Sequence, residues 1–167
     1  MTSRDRMEGE RSMAPETEER TIQTRWSDFD VNGHLTDTSY PVFFAEARAD
    51  LIGERIGQDA TFPVVSQQLD FRSEVTFPTR TVVVRTAVAS LGRSSVTFEQ
   101  ELIRPDGEIA AVGRAVLVAW DPDHRGSREL TDFERRAFGQ GTLTQSEPRP
   151  AVGGEKEEEG EDVTAAH

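Results

Sequence analysis

The stretch Thr38-Ser39-Tyr40-Pro41-Val42-Phe43-Phe44-Ala45-Glu46-Ala47-Arg48-Ala49-Asp50-Leu51 decides how the rest of the chain is read. Tyr40, Phe43, Phe44, Ala47 and Leu51 recur at the i, i+3, i+4 spacing of a single apolar helical face. Thr38 or Ser39 can cap the helix, Pro41 suits its first turn, and Gly53 or Gly57 can end it. A residue before proline resists the α region, which places the start of the regular helix at Pro41. About 15 residues at ~1.5 Å rise match the length of a strand of about seven, so the helix can lie along one sheet.

Away from this helix the period changes to two. Residues 21–26 alternate as a first strand, and the polar turn at 27–38 carries the turn dipeptide Asn32-Gly33. Beyond the helix, Val65, Gln67, Leu69 and Phe71 alternate with polar neighbours, and residues 81–91 are valine-rich. A Gly92-Arg93 turn leads into 95–103, where Val96, Phe98 and Leu102 share one face. Arg104-Pro105-Asp106-Gly107 is a hairpin turn before a long final strand at 109–120. Residues 131–138 are amphipathic enough for a short closing helix. Strand, long helix, then four strands joined by tight turns is an α+β arrangement: a five-stranded antiparallel sheet with one long central helix for it to wrap.

Composition narrows the function. The chain has 167 residues, a net charge of -12 and no cysteine. Absence of cysteine excludes disulfides, thiolate catalysis and cysteine-ligated metals, and fits a reducing cytoplasmic setting. Three histidines (His34, His124 and His167) are too scattered for a histidine metal cage. No apolar run is long enough to span a bilayer, and the charged N-terminus lacks the apolar core of a secretory signal. Residues 1–19 and 139–167 are polar and read as disordered tails, the second acidic, leaving one domain at 20–138. The acidic balance argues against a nucleic-acid partner.

The chemistry-bearing residues concentrate in Asp28-Phe29-Asp30-Val31-Asn32-Gly33-His34, directly before the helix. A helix N-terminus offers unpaired N–H groups and a partial positive charge that can stabilise an oxyanion. A carboxylate beside it can attack an activated acyl group or activate water. The bland alternatives are turn geometry for Asp28 and Asn32 and a hydrogen-bonded structural role for His34. Tyr40, Phe43, Phe44, Phe62 and Val65 are core candidates, and the last four could also line an acyl tunnel. Glu46 and Arg48 cannot face each other on the helix and suggest ion pairs to a loop or to another subunit.

The run from Asp28 to His34, followed by Ser39-Tyr40-Pro41-Val42-Phe43-Phe44-Ala45-Glu46-Ala47-Arg48, resembles the 4-hydroxybenzoyl-CoA thioesterase-like branch of the hotdog-fold acyl-CoA thioesterases. The resemblance covers residues 21–138 and includes the Gly92-Arg93-Ser94-Ser95 turn. It implies Asp30 as nucleophile or general base, Asn32 and His34 as supporting groups, and the backbone N–H of Asp37 as oxyanion donor. Tyr40, Arg93, Ser94 and Ser95 would contact an acyl-CoA substrate, with Arg72 a second candidate for its phosphates. Thr36-Asp37 stand where many relatives carry two asparagines. The resemblance further implies a homodimer or homotetramer and chemistry needing no cofactor or metal. Two other functions share the layout: a hotdog hydratase or dehydratase, and a non-catalytic acyl-CoA binding protein. The hydratase pattern has a proline and one more residue before His than Asp30-Val31-Asn32-Gly33-His34 provides.

Overall fold

The structure, a computed structural model, describes residues 17–139. Five strands form one antiparallel sheet: β1 (Thr17–Gln23), β2 (Val64–Phe71), β3 (Thr81–Leu91), β4 (Ser95–Ile103) and β5 (Ile109–Val118). Their spatial order is β1-β3-β4-β5-β2. The meander β3-β4-β5 therefore forms the centre. The long helix α1 (Ser39–Arg55) connects β1 at one edge with β2 at the other, and so lies across one face. Tyr40, Phe43, Phe44, Ala47 and Leu51 are all buried on that face, as their spacing requires.

Strand alternation sets the other half of the core. Val82, Val84, Thr86 and Val88 of β3 are buried, and so are Val96, Phe98, Gln100 and Leu102 of β4. Gly113 of β5 meets Phe44 closely enough that a Cβ there would lie 2.8 Å from the ring. Gly57, at φ +134°, closes α1 in a conformation that L side chains rarely adopt, and its N–H returns to the Ile52 carbonyl.

Several expectations need correction. Strand β1 begins at Thr17, so Thr17–Glu19, read as tail, belong to the sheet. Their charges are consumed by ion pairs: Glu18 with Arg55 at 2.7 Å and Glu19 with Arg85 at 2.8 Å. The acidic tail likewise starts later, since α2 (Asp132–Gly139) includes Gly139; the remaining tail residues lie outside those described. The helix begins at Ser39 rather than Pro41, because Pro41 still falls in the first turn, where its missing N–H costs nothing. A single central helix is also incomplete. Helix α2 packs Phe138 edge-on against Phe62 and Phe98, with ring centroids 5.5 and 6.0 Å away. The final strand stops at Val118, and Trp120–Asp121 (β6) pairs instead with Gly126–Ser127 (β7). Val65, a core candidate, is 59% exposed because α1 leaves β2 uncovered.

Candidate functional site

The loop from Thr24 to Thr38 is built by its own backbone. Asp28 Oδ2 accepts the Arg25 N–H at 2.6 Å, and the Asp28 carbonyl accepts the Thr36 N–H at 2.9 Å. Asp28 is thus a turn residue. Phe29 pairs with Leu35 and His34 with Thr76, which leaves residues 30–34 as a protruding tip. At that tip Asp30 Oδ1 accepts two backbone N–H groups, from Asn32 at 2.8 Å and from His34 at 2.9 Å. The His34 N–H, with further help from Asn32, holds the Asp30 carboxyl below the ordinary carboxylate range against a smaller desolvation effect. Gly33 at φ +78° makes the tight return possible. Asp30 is exposed and ionised, so it can act as a nucleophile or base but not as an acid at neutral pH.

A cavity of about 360 Å³ lies where α1 starts, lined by Leu35, Asp37, Tyr40, Phe71, Arg72 and Glu74 among others. Tyr40 stacks edge-on against Phe71 at 5.0 Å, and burial pushes its phenol pKa up. The hydroxyl has no protein partner among the described residues, and it is not sealed from accessible space. The Asp37 N–H, two residues ahead of the helix, also donates to no protein group among the described residues. Both residues line the groove, and neither donor is committed to another group among the described residues. His34 Nε2 lies 3.1 Å from Glu74 Oε2, which links the Asp30 loop to the rim of this groove.

The predicted residues therefore separate into three places. Asp37 and Tyr40 line the groove; Asp30, Asn32 and His34 form the loop beside it. Arg93, Ser94 and Ser95 sit at the opposite end of the sheet, since Gln23 pairs with Thr81 at the start of β3 while their turn follows its last residue, Leu91. Arg93 there pairs loosely with Glu129 at 3.6 Å, and its carbonyl accepts bonds from Leu130 and Arg135. One chain alone does not bring that turn to Asp30. Asn32 contributes its N–H to Asp30, the turn role weighed for it. Glu46 and Arg48 form no ion pair among the described residues; Arg48 is instead buried, bonding Gln100 Oε1 at 2.6 Å. Its place on the apolar face, four residues after Phe44 and three before Leu51, was the signal available for it. Among the described residues no group of three or more His, Asp or Glu could hold a metal ion, and no helix is long and apolar enough to cross a membrane.

Residues 24–150 match the model of the Thioesterase-like superfamily. This is well over half of the chain, and the chain belongs to that superfamily. Its fold is the hotdog fold of the thioesterases. Among solved structures it is similar to the PA5185 protein of Pseudomonas aeruginosa, at 30% identity over 77% of this chain and 94% of that one, TM-score 0.69. A Thermus thermophilus thioesterase complexed with coenzyme A and Zn is 25% identical over 72% and 90%, TM-score 0.66. A predicted thioesterase from Bacillus stearothermophilus shares the fold at 21% identity over 78% and 100%, TM-score 0.71. No curated protein matches.

Proposed function

We propose that this protein hydrolyses acyl-CoA thioesters to free acid and thiol. The observation that carries the reading is the Asp30 carboxylate, held ionised by backbone N–H groups on the loop that leads into α1. As nucleophile, its free oxygen forms a bond to the thioester carbon while the C–S bond breaks. The CoA thiolate leaves, and water then cleaves the acyl–aspartyl anhydride. As base, Asp30 takes a proton from water as the water oxygen adds to the carbonyl, and passes it to the departing sulfur. Either route places negative charge on the former carbonyl oxygen, where the uncommitted Asp37 N–H supplies a donor. Tyr40 and Arg72 are groove groups for the acyl carbonyl and the CoA phosphates.

The working unit in this reading is a homodimer. Strand β2 is an edge strand with both faces open: Val64 is 45% exposed, Val65 59% and Phe71 54%. Such an edge invites pairing with a second strand. A twofold antiparallel pairing of two β2 edges sets the Val64 end of one chain beside the Phe71 end of the other. That carries the Arg93-Ser94-Ser95 turn of one subunit to the same end of the joined sheet as its partner's Asp30.

Thiol release from short, long and aromatic acyl-CoAs, compared between wild type and Asp30→Asn and Asp30→Ala, tests the reading. Wild-type release with a loss on the order of a thousandfold in both folded variants is expected. Silence on every thioester, or variants matching wild type, would refute it. Hydrated or dehydrated acyl-CoA among the products would point to the hydratase chemistry instead.

A further inference from the structure

Arg48 is a cation inside the molecule without an anion. Only 3% of it is exposed, and among the described residues no carboxylate lies within ion-pair distance. Its one bond is from Nη1 to Gln100 Oε1 at 2.6 Å. Gln100 cannot turn away, because its amide donates to the Phe44 carbonyl at 3.0 Å and to Thr86 Oγ1 at 2.9 Å. The oxygen of Gln100 is therefore fixed on the guanidinium while adding no charge to balance it. Burial depresses the Arg48 pKa to about 10, the mark of an uncompensated charge. Leaving such a charge unpaired is costly, and cores normally supply a counter-ion.

The rest of the guanidinium faces a cavity. Among the described residues no buried side-chain nitrogen is left without a partner, so the remaining N–H groups of Arg48 touch accessible space. That space is a cavity of about 270 Å³ lined by Ala45, Arg48, Ile52, Phe62 and Leu117 among others. At the ~30 Å³ a water occupies in the liquid, it has room for roughly nine heavy atoms. Its lining is divided about evenly between polar and apolar surface: Ile52, Phe62 and Leu117 supply an apolar wall, and Arg48 and Gln58 supply polar groups. Val64 also lines it, so the β2 pairing proposed above brings this cavity up to the partner's Asp37–Tyr40 groove.

We infer that the Arg48 cavity is the subsite for the far end of the acyl group, and that the acyl group ends in a carboxylate. The preferred substrates are then ω-carboxyacyl thioesters of about four to eight carbons. The apolar wall of Ile52, Phe62 and Leu117 takes the methylenes, and the guanidinium takes the terminal carboxylate in a charge-assisted pair. This assignment rests on the thioesterase reading for its reaction, though not for its ligand chemistry.

The test compares adipoyl-CoA with its neutral monomethyl ester and with hexanoyl-CoA, using wild type, Arg48→Met and Arg48→Lys. Wild type is expected to favour adipoyl-CoA over the ester by about tenfold or more in kcat/KM, mostly through KM. Arg48→Met should erase or invert that ratio, and Arg48→Lys should keep part of it. A wild-type ratio near one, or a ratio unchanged in Arg48→Met, would overturn the assignment; a partner-subunit carboxylate already pairing Arg48 would give the former. Should Arg48→Met fail to fold, free adipate against monomethyl adipate as inhibitors of wild-type hexanoyl-CoA hydrolysis decides, and equal inhibition counts against the subsite. Should no thioester be cleaved at all, the thioesterase reading fails by itself. Calorimetry with free adipate and monomethyl adipate then decides the subsite: selective adipate binding keeps it, and equal or absent binding overturns it.

Discussion

Gly113→Ala should loosen the contact that seats α1 on the sheet. The new methyl carbon would lie 2.8 Å from Phe44 Cε2 and 3.0 Å from Cδ2, against an ordinary carbon–carbon separation of about 3.5–4.0 Å. Ring or helix must therefore retreat by roughly 0.7–1 Å. Phe44 is fully buried, so the ring cannot swing into solvent. Overpacking of this kind costs about 1–3 kcal/mol, offset by about 0.4–1 kcal/mol from stiffening the unfolded chain. A net loss of about 1–2 kcal/mol is expected, seen as a lower urea midpoint at unchanged slope and at fixed protein concentration. Phe44→Leu opens space at the same spot, so the double variant should recover about 1 kcal/mol relative to the sum of the two single losses. Wild-type stability in Gly113→Ala, or strict additivity in the double, would refute the reasoning. Because α1 carries Asp37 and Tyr40 at its start, thiol release should fall along with stability in the single variant.

Thiol release should stay flat from neutral pH downward and drop only below about pH 4, because Asp30 is held ionised by its backbone bonds; a midpoint between pH 6 and 7 would contradict its role. Glu134 is buried, and although burial raises its pKa, the two bonds from Arg128 at 2.7 and 2.8 Å and the Thr131 N–H outweigh that and lower it. A depressed carboxylate stabilises the fold above its unfolded pKa and ceases to as pH falls through the folded one. Glu134→Gln should therefore cost about 1–2 kcal/mol at pH 7, a figure reduced because the Arg128 side chain is one-third exposed. The gap from wild type should hold down to the ordinary glutamate range and narrow only as the pH falls below it, measured by thermal unfolding across pH. Val65→Asp, on the open edge strand, should leave the monomer folded yet convert a micromolar dimer to monomer in sedimentation; a wild type already monomeric there would overturn the paired-edge site.

The sequence carried what period and turn chemistry encode. Tyr40, Phe43, Phe44, Ala47 and Leu51 marked the helix face, and the valines of β3 and β4 their buried sides, because burial imposes those spacings locally. The placement of β2 at the far edge, beyond β5, was not legible, since a crossover leaves no periodic trace. Thr17–Glu19 hid a strand because their charges are neutralised by residues about 37 to 66 positions away, as Glu18–Arg55 and Glu19–Arg85 show. Within the candidate site, the Asp30 loop announced itself through Asn32-Gly33. The groove did not, because Phe71 and Glu74 reach it from β2 and the turn beyond it. Arg48 was visible as a charge on an apolar face, but the amide that fixes it comes from β4, 52 residues later.

The two backbone bonds to Asp30 divide its carboxylate into unlike halves. Oδ1 belongs to the loop, tied to Asn32 and His34, while Oδ2 is the oxygen that the proposed reaction would use. On the proposed reaction, shape and reactivity would share a single side chain, and neither could be altered without the other. A glutamate, though it has the same charge, would push the oxygens outward by one methylene. It would either drop the two N–H groups and slacken the tip, or keep them and aim its free oxygen elsewhere. On the proposed reaction, keeping the charge would therefore not keep the site, and side-chain length at position 30 would be as strict a requirement as acidity.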